Sequence, residues 1–475
     1  MSVTPCYARQ LADDRHLHHV LQTCRKRCLE TEESLIVSVT QPLPLVEPLA
    51  ILQRFTVANE RHFYWENQQE SSTIAAWESC QEKTIQVGYS FKEIQNFIDS
   101  FKEKIIEIGD AKLPEIGLKF LSHFTFFDAP DLKSPFPSVT IFIPKWQVSC
   151  SQENCFLTHN CILSGNSNLS EIKNEIRHKI QKIDNLFNYI VTFPFPQFKQ
   201  DLKSFQTTDL NQQNQFKKSV KLALNDIDNK KLTKIVLAHY LDVISPVPFS
   251  PFLSLNDLRQ KHPGCYIFSV GNSKGTTFLG ATPERLFSLR KQKLVSDALA
   301  GSAPRNQSAI ADEKLGKALL NNEKERREHQ AVKNYLIKQL EQLGLTPQPS
   351  RQQLLKLSNI QHLWTLIHAD VPNHINPLDI VAKLHPTPAV AGVPTAIACE
   401  KIRQYETFDR ALYAAPIGWF DCQGNAEFMV GIRSAMINQN QARLYAGAGI
   451  VAGSNPDKEL AEVQLKLQAM LKALR

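Results

Sequence analysis

The chain has no run of about 18 apolar residues, so no membrane-spanning helix is expected. Its first residues, MSVTPCYARQLADDRHLHH, lack the apolar core of a secretory leader, and Asp13 and Asp14 argue against a transit peptide. A cytoplasmic location is the default expectation. There is no CxxC among the ten cysteines, and neither Cys24/Cys28 with His18 and His19 nor Cys150/Cys155/His159/Cys161 has a standard zinc spacing. The thiols therefore read as reduced packing residues. A dense basic stripe with interleaved aromatics is also missing. The net charge of +7, from 54 Lys and Arg against 47 Asp and Glu, is mild for 475 residues. That excludes the usual nucleic-acid footprint and suits an anionic small molecule. No fixed-period repeat occurs, so a solenoid or propeller is not expected.

What is present reads as α/β. Residues 1–200 alternate strand-like runs and loops: 34–44, HFYWEN (62–67), FTFFD (124–128) and 139–148. A helix over 90–109 carries Phe91, Ile94, Phe97, Ile98 and Phe101 on one stripe, and a second is expected near 169–190. A Gln- and Asn-rich connection, 198–215, leads into residues 201–475, which read as the catalytic region. There the pattern predicts a helix over 215–229, strands over 234–244, 266–302, 416–423, 426–438 and 441–451, and helices over about 309–343, 377–384 and from 456.

Several residues could carry chemistry. Lys234 opens the apolar strand KIVLAHY, where it either reaches solvent or, buried, acts as a base. Glu284 follows a Thr-Pro turn and is either an exposed charge or a general acid. Arg433 interrupts the apolar AEFMVGIRSAMIN and needs a carboxylate partner. Glu325 and Glu328 pair at i,i+3, as do Glu459 and Glu462, with Lys466 one turn beyond. Two such pairs could hold one hard divalent cation, for which oxygen donors and open positions favour Mg²⁺; the alternative is a solvated charged face. In AGAGIVAGSNPDKELAEVQLKL, Ser454 or Asn455 can cap a helix starting at Pro456. Gly447, Gly449 and Gly453 allow either close approach of an anion or tight strand packing. The proline-rich KLHPTPAVAGVPT (383–395) excludes helix and central strand. It reads as a buried crossover or as the wall of a reaction pocket.

Taken together, KIVLAH, GATPERLF, ALAGSAPR, EKERREH, QHLWT, LHPTPAVAGVP, AEFMVGIRSA and the last stretch resemble the chorismate-utilising enzymes, in family order over 234–466. The first 200 residues match more weakly, through HFYWEN and LSHFTFFDAP. The resemblance implies an anthranilate synthase component I-like fold, with two packed β-sheets flanked by helices in one large unit. It implies Lys234 as the base that activates water and Glu284 as the acid at the departing 4-hydroxyl. Glu328 and Glu462 would be Mg²⁺ ligands, and Glu325 and Glu459 would hold metal waters. Arg433, Lys466 and the Gly447 backbone would grip the substrate chorismate, Gly301 and Ser302 would line its pocket, and His362 would lie near the leaving group. Family members are often monomers, which is the expectation here.

Within the family, ALAGS has Ala300 where aminodeoxychorismate synthases carry a nucleophilic lysine. Ala389 and Thr395 replace the threonine and lysine of the anthranilate-type loop, so no glutaminase subunit is expected. HPTPAV followed by GVP is similar to isochorismate synthases, with Ala389 and Val390 walling the approach of water. A salicylate synthase, which also eliminates pyruvate, is the alternative. The pathway implied most closely is menaquinone or phylloquinone synthesis.

Overall fold

The computed structural model describes residues 14–475 apart from 110–115, 132, 191–204, 209 and 359. The readings of residues 1–13 as leader-free and of 198–204 as a connection lie outside the described residues. The rest of that expected connection is structured. A short strand, Gln206–Thr208, is followed by a helix, Leu210–Asp228, that starts five residues before the predicted 215.

Strand Val139–Ser151 is the spine of the fold. One of its edges pairs with Ser72–Ile85. From there the ladder runs through His62–Asn67, Tyr266–Gly271, Thr276–Thr282, Ser434–Asn438, Gln441–Val451 and Lys234–Ile244. The other edge pairs with Asn154–Leu163 and with Phe120–Phe124. Phe120–Phe124 leads to Pro416–Phe420, Ala426–Val430, Arg285–Arg290, Lys293–Pro304 and Ile360–Asp370. The two sheets are thus arms of one hydrogen-bonded network. They pack on each other through buried aromatics. Trp65 of one arm meets Trp419 of the other edge-on at 6.3 Å, and the Tyr266 hydroxyl donates to Glu427 Oε1 at 2.6 Å. Such pairs join large apolar area to a satisfied polar tip.

Two of the chain's crossings between the arms lie side by side. Pro283 and Glu284 carry it from Thr276–Thr282 to Arg285–Arg290. Gly431 to Arg433 carry it from Ala426–Val430 back to Ser434–Asn438. The crossings are tied together: the Val430 amide donates to Glu284 O at 2.9 Å and the Ala281 amide to Arg433 O at 3.1 Å.

Several local expectations are corrected. AEFMVGIRSAMIN is two strands, because Arg433 has φ +50°, a left-handed conformation that no strand continues through. The 90–109 helix is Phe91–Lys102, and Ile105–Ile108 instead adds a parallel strand to Ile36–Val39. β-Branched residues fit that pleat better than a fifth helical turn. The helix expected over 309–343 is two, Ala309–Asn321 and Glu323–Gln342. Asn322 lies between them with ψ 114°, and its side chain accepts from the Glu325 amide at 3.1 Å. FTFFD begins where strand Phe120–Phe124 ends. Helices Asp14–Thr31, Pro48–Phe55, Pro251–Lys261 and Thr395–Tyr405 were not foreseen. Cys150 and Cys155 are not free thiols: they face each other across a hairpin and form a disulfide. Spacing alone does not show that register. No helix of the described residues is long and apolar enough to cross a membrane.

Candidate active site

Lys234 begins its strand at the edge of one arm, 5% exposed. Its ammonium donates to Glu328 Oε1 at 2.7 Å. The room for that side chain comes from the neighbouring strand, where a Cβ on Gly449 would stand 3.2 Å from Lys234 Cε. Gly447 and Gly449 are therefore ladder residues, opposite Ala238 and Val236, and not part of a glycine turn. The amides at the start of helix Pro456–Leu471 are not free for an anion either. Asn455 Oδ1 accepts from Asp457 at 3.0 Å and Lys458 at 3.1 Å.

The proline-rich segment lies against the Lys234 strand. Gly392 and Val393 pair with Ile235 and Lys234, and the Val236 amide donates to Ala391 O at 2.8 Å. Gly392 has φ +145°, and a Cβ there would come within 2.3 Å of Lys234 O, so only glycine allows this approach. Arg410, 1% exposed, staples the segment from beneath. It donates to Val390 O at 3.0 Å and Val236 O at 2.8 Å, and forms a two-pronged pair with Glu406 at 2.8 and 2.5 Å. Glu406 in turn accepts from the Ala238 amide at 2.7 Å.

The other walls come from the crossings and the second arm. Glu284, at the first crossing, is 5% exposed. Burial pushes its carboxyl up to about 8; the nearby Asp297 adds to this, while Lys234 and Arg433 oppose it. Gly301 has φ +74° at a bulge in Lys293–Pro304. The bulge turns the Ser302 amide toward Glu325 Oε2 at 3.0 Å. Ser302 Oγ lies 2.8 Å from His362 Nδ1, and Arg433 donates to His362 Nε2 at 3.3 Å. Burial, with Arg433 and Lys466 nearby, pushes this imidazole down to about 3, so it is neutral. The Arg433 contact assigns its proton to Nδ1. Lys466 donates to Glu462 Oε1 and to Gly447 O, each at 2.8 Å.

These elements enclose a cavity of about 170 Å³. Lys234, Glu284, Gly301, Ser302, Glu328, His362, Ala389, Val390, Arg433, Gly447, Glu462 and Lys466 all line it; Glu325 and Glu459 do not. His329, adjacent to Glu328 in sequence, points away and bonds Thr365 Oγ1 at 2.8 Å. The sequence reading missed Tyr413 and Tyr445, which stack at 5.3 Å on the cavity wall, and the roles of Arg410 and Asp297. Apart from the i,i+4 spacing of Glu406 and Arg410, no local pattern marks these residues.

The sequence profile of the chorismate-binding enzymes matches residues 20–475. The chain belongs to that family. It is similar to the isochorismate synthase MenF of Bacillus subtilis, 29% identical over 96% of this chain and 98% of that protein. The salicylate biosynthesis isochorismate synthase of Pseudomonas aeruginosa is 37% identical over 55% of this chain and 54% of its own length. Among solved structures, the menaquinone-specific isochorismate synthase MenF from Escherichia coli superposes with a TM-score of 0.75 at 25% identity, over 96% of this chain and 100% of that one. The anthranilate synthase component I fold is shared as well, at a TM-score of 0.68 and 19% identity over 84% of this chain and 92% of the Streptococcus pneumoniae protein.

In this chorismate-binding enzyme Glu325, Glu328 and Glu462 are brought within electrostatic reach of one another from two helices. Burial raises Glu325, and the charges of Glu328 and Glu462 raise it further, so carboxylates of two helices repel across the site. Burial would raise Glu328 too, but the charge and hydrogen bond of Lys234 outweigh it and leave Glu328 low. Glu328 and Glu462 each have a lysine where a cation could stand. Among the described residues no three His, Cys, Asp or Glu side chains are grouped closely enough to enclose a metal. That is compatible with Mg²⁺, which takes one or two carboxylates and completes its shell with water and substrate.

Glu284 gives the family member a testable pH dependence. An acid must carry its proton to donate it, so kcat/KM is expected to hold below pH 8 and fall above about 8. Folding stability, by contrast, drops as the pH rises from the ordinary carboxyl range up to about 8, because over that window the folded chain holds this proton and the unfolded one does not. A pH–rate profile checks the limb; its persistence in Glu284→Gln would assign it elsewhere.

Proposed function

We propose that the protein is an isochorismate synthase, converting chorismate to isochorismate by attack of water at C2 and loss of the 4-hydroxyl. The observation that carries the reading is the placement of a buried lysine and a protonated carboxyl on one small cavity, from different parts of the sheet network. Lys234, once its ammonium has released a proton to solvent, takes one from water at C2, the ring double bonds shift, and Glu284 gives its proton to the departing hydroxyl. Water enters and water leaves, so the step is reversible. Arg433 offers a guanidinium to a substrate carboxylate, and neutral His362 is fixed beside it by Ser302. Ala389 and Val390, held by Arg410, form a small apolar wall that suits water better than a larger nucleophile. Glu328 and Glu462 would hold Mg²⁺, with Glu325 and Glu459 orienting its waters. When bound, the ion would neutralise these carboxylates and draw a substrate carboxylate to them.

The likeness over 96% of this chain to the menaquinone-specific isochorismate synthase MenF of Escherichia coli supports a role in menaquinone synthesis, and we extend the proposal to phylloquinone synthesis. The test is incubation of purified protein with chorismate and Mg²⁺, with and without ammonium, followed by chromatography. Isochorismate without ammonium, abolished by chelator, is expected. Salicylate with pyruvate would replace the reading by a salicylate synthase, and anthranilate only with ammonium would refute the argument from the Ala389 wall.

A further inference from the structure

The geometry points to a second small-molecule site beside the reaction cavity, built for an aromatic carboxylate with more than one fused ring. A chamber of about 360 Å³, roughly twice the reaction cavity, adjoins it and shares Ser302, Ile360, Arg433, Glu462 and Lys466 with it as a partition. Its far side is one face of the terminal helix. Glu462, Leu465, Lys466, Ala469 and Met470 follow at helical spacing, so the face that begins in the reaction cavity turns apolar as it leaves it.

Two observations define the ligand. Leu465 is 73% exposed in a helix whose other leucines, Leu460, Leu467 and Leu471, are buried. A ring laid in the chamber would cover it and remove apolar surface from water. Arg433, at the partition, meets only neutral hydrogen-bond partners among the described residues: His362 Nε2 at 3.3 Å and Cys265 Sγ at 4.0 Å. Lys466 is already paired with Glu462. His262, on the same wall, is pushed down to about 4 by burial, with Arg433 also opposing its charge, so it adds none. A carboxylate at the partition would supply the partner that Arg433 lacks. Because Arg433 also faces the reaction cavity, a ligand here competes with substrate for it. The competition rests on the proposed function; the binding does not.

The test is calorimetry of the full chain with 2-naphthoate, together with inhibition kinetics. One saturable site is expected. Leu465→Ser, which alters an exposed residue outside the reaction cavity, should weaken binding about tenfold and leave kcat/KM for chorismate unchanged without the ligand. The uncharged 2-naphthalenemethanol should bind more weakly than the acid, and 2-naphthoate should raise KM without changing kcat. No saturable binding up to about 1 mM, a range that corresponds to about −4 kcal/mol, would overturn the proposal. So would binding indifferent to both Leu465→Ser and Ala469→Asp. A Leu465-dependent site in a protein that does not turn over chorismate would refute the proposed reaction and leave this site standing.

Discussion

Lys234→Ala is expected to lower kcat by about 10³-fold, within the span that a positioned base contributes, with circular dichroism unchanged. Lys234 sits at a strand start with its backbone still in the ladder opposite Val451, so truncation leaves the fold in place. Its ammonium holds Glu328 at 2.7 Å, so loss of the charge alone could disturb that carboxylate. Lys234→Gln separates the two effects. Glutamine can still donate to Glu328, yet it cannot accept a proton from water at C2. If the geometry matters only through Glu328, Lys234→Gln keeps most of the activity. If Lys234 is the base, both variants are equally poor. Retention of a tenth or more of wild-type kcat by Lys234→Gln would end the base assignment.

Arg410→Met should destabilise the protein by about 3–5 kcal/mol, as removal of one member of a buried ion pair does. The side chain is 1% exposed and Glu406 is 4% exposed. The variant leaves Glu406 charged and buried, and frees the carbonyls of Val236 and Val390. The double variant Arg410→Met with Glu406→Gln should recover part of the loss, since no unpaired charge is then left inside. Denaturant titration of the three variants against wild type reads this directly. A double variant no better than the single one would show that the carbonyl contacts, and not the charge pair, hold the segment. Activity should fall with stability, because Val390 is both the residue stapled and a wall of the cavity.

The site was legible in sequence where a charged or small residue stands out against its immediate neighbours. Lys234 opens an apolar run, Glu284 follows a Thr-Pro turn, and Glu325/Glu328 and Glu459/Glu462 repeat one helical spacing. Those local contrasts, joined by the family resemblance, named the residues that line the cavity. What stayed hidden depends on the backbone path. Arg433 reads as a mid-strand arginine until its positive φ is seen to end the strand. Gly447 and Gly449 read equally as turn or ladder residues, and only pairing with the Lys234 strand decides for the ladder. The Phe91–Phe101 stripe was correct as helix, but the isoleucines beyond it satisfy both periods, and pairing with Ile36–Val39 chose the strand. Asn322 looked like one more polar residue in a charged helix because its capping role depends on where the chain bends.

Glu284 and Arg433 stand at two adjacent places where the backbone leaves one sheet for the other, and those crossings are bonded together. Lys234 belongs to the first sheet, while Ser302 and His362 belong to the second. In the proposed reaction the span from base to leaving-group side would follow the thickness of the aromatic layer between the sheets, of which Trp65 and Trp419 are part. A close-packed interior is nearly incompressible. In the proposed reaction the core would act as a spacer, and the volume of residues that never meet the substrate would set how far apart the acid and the base are held.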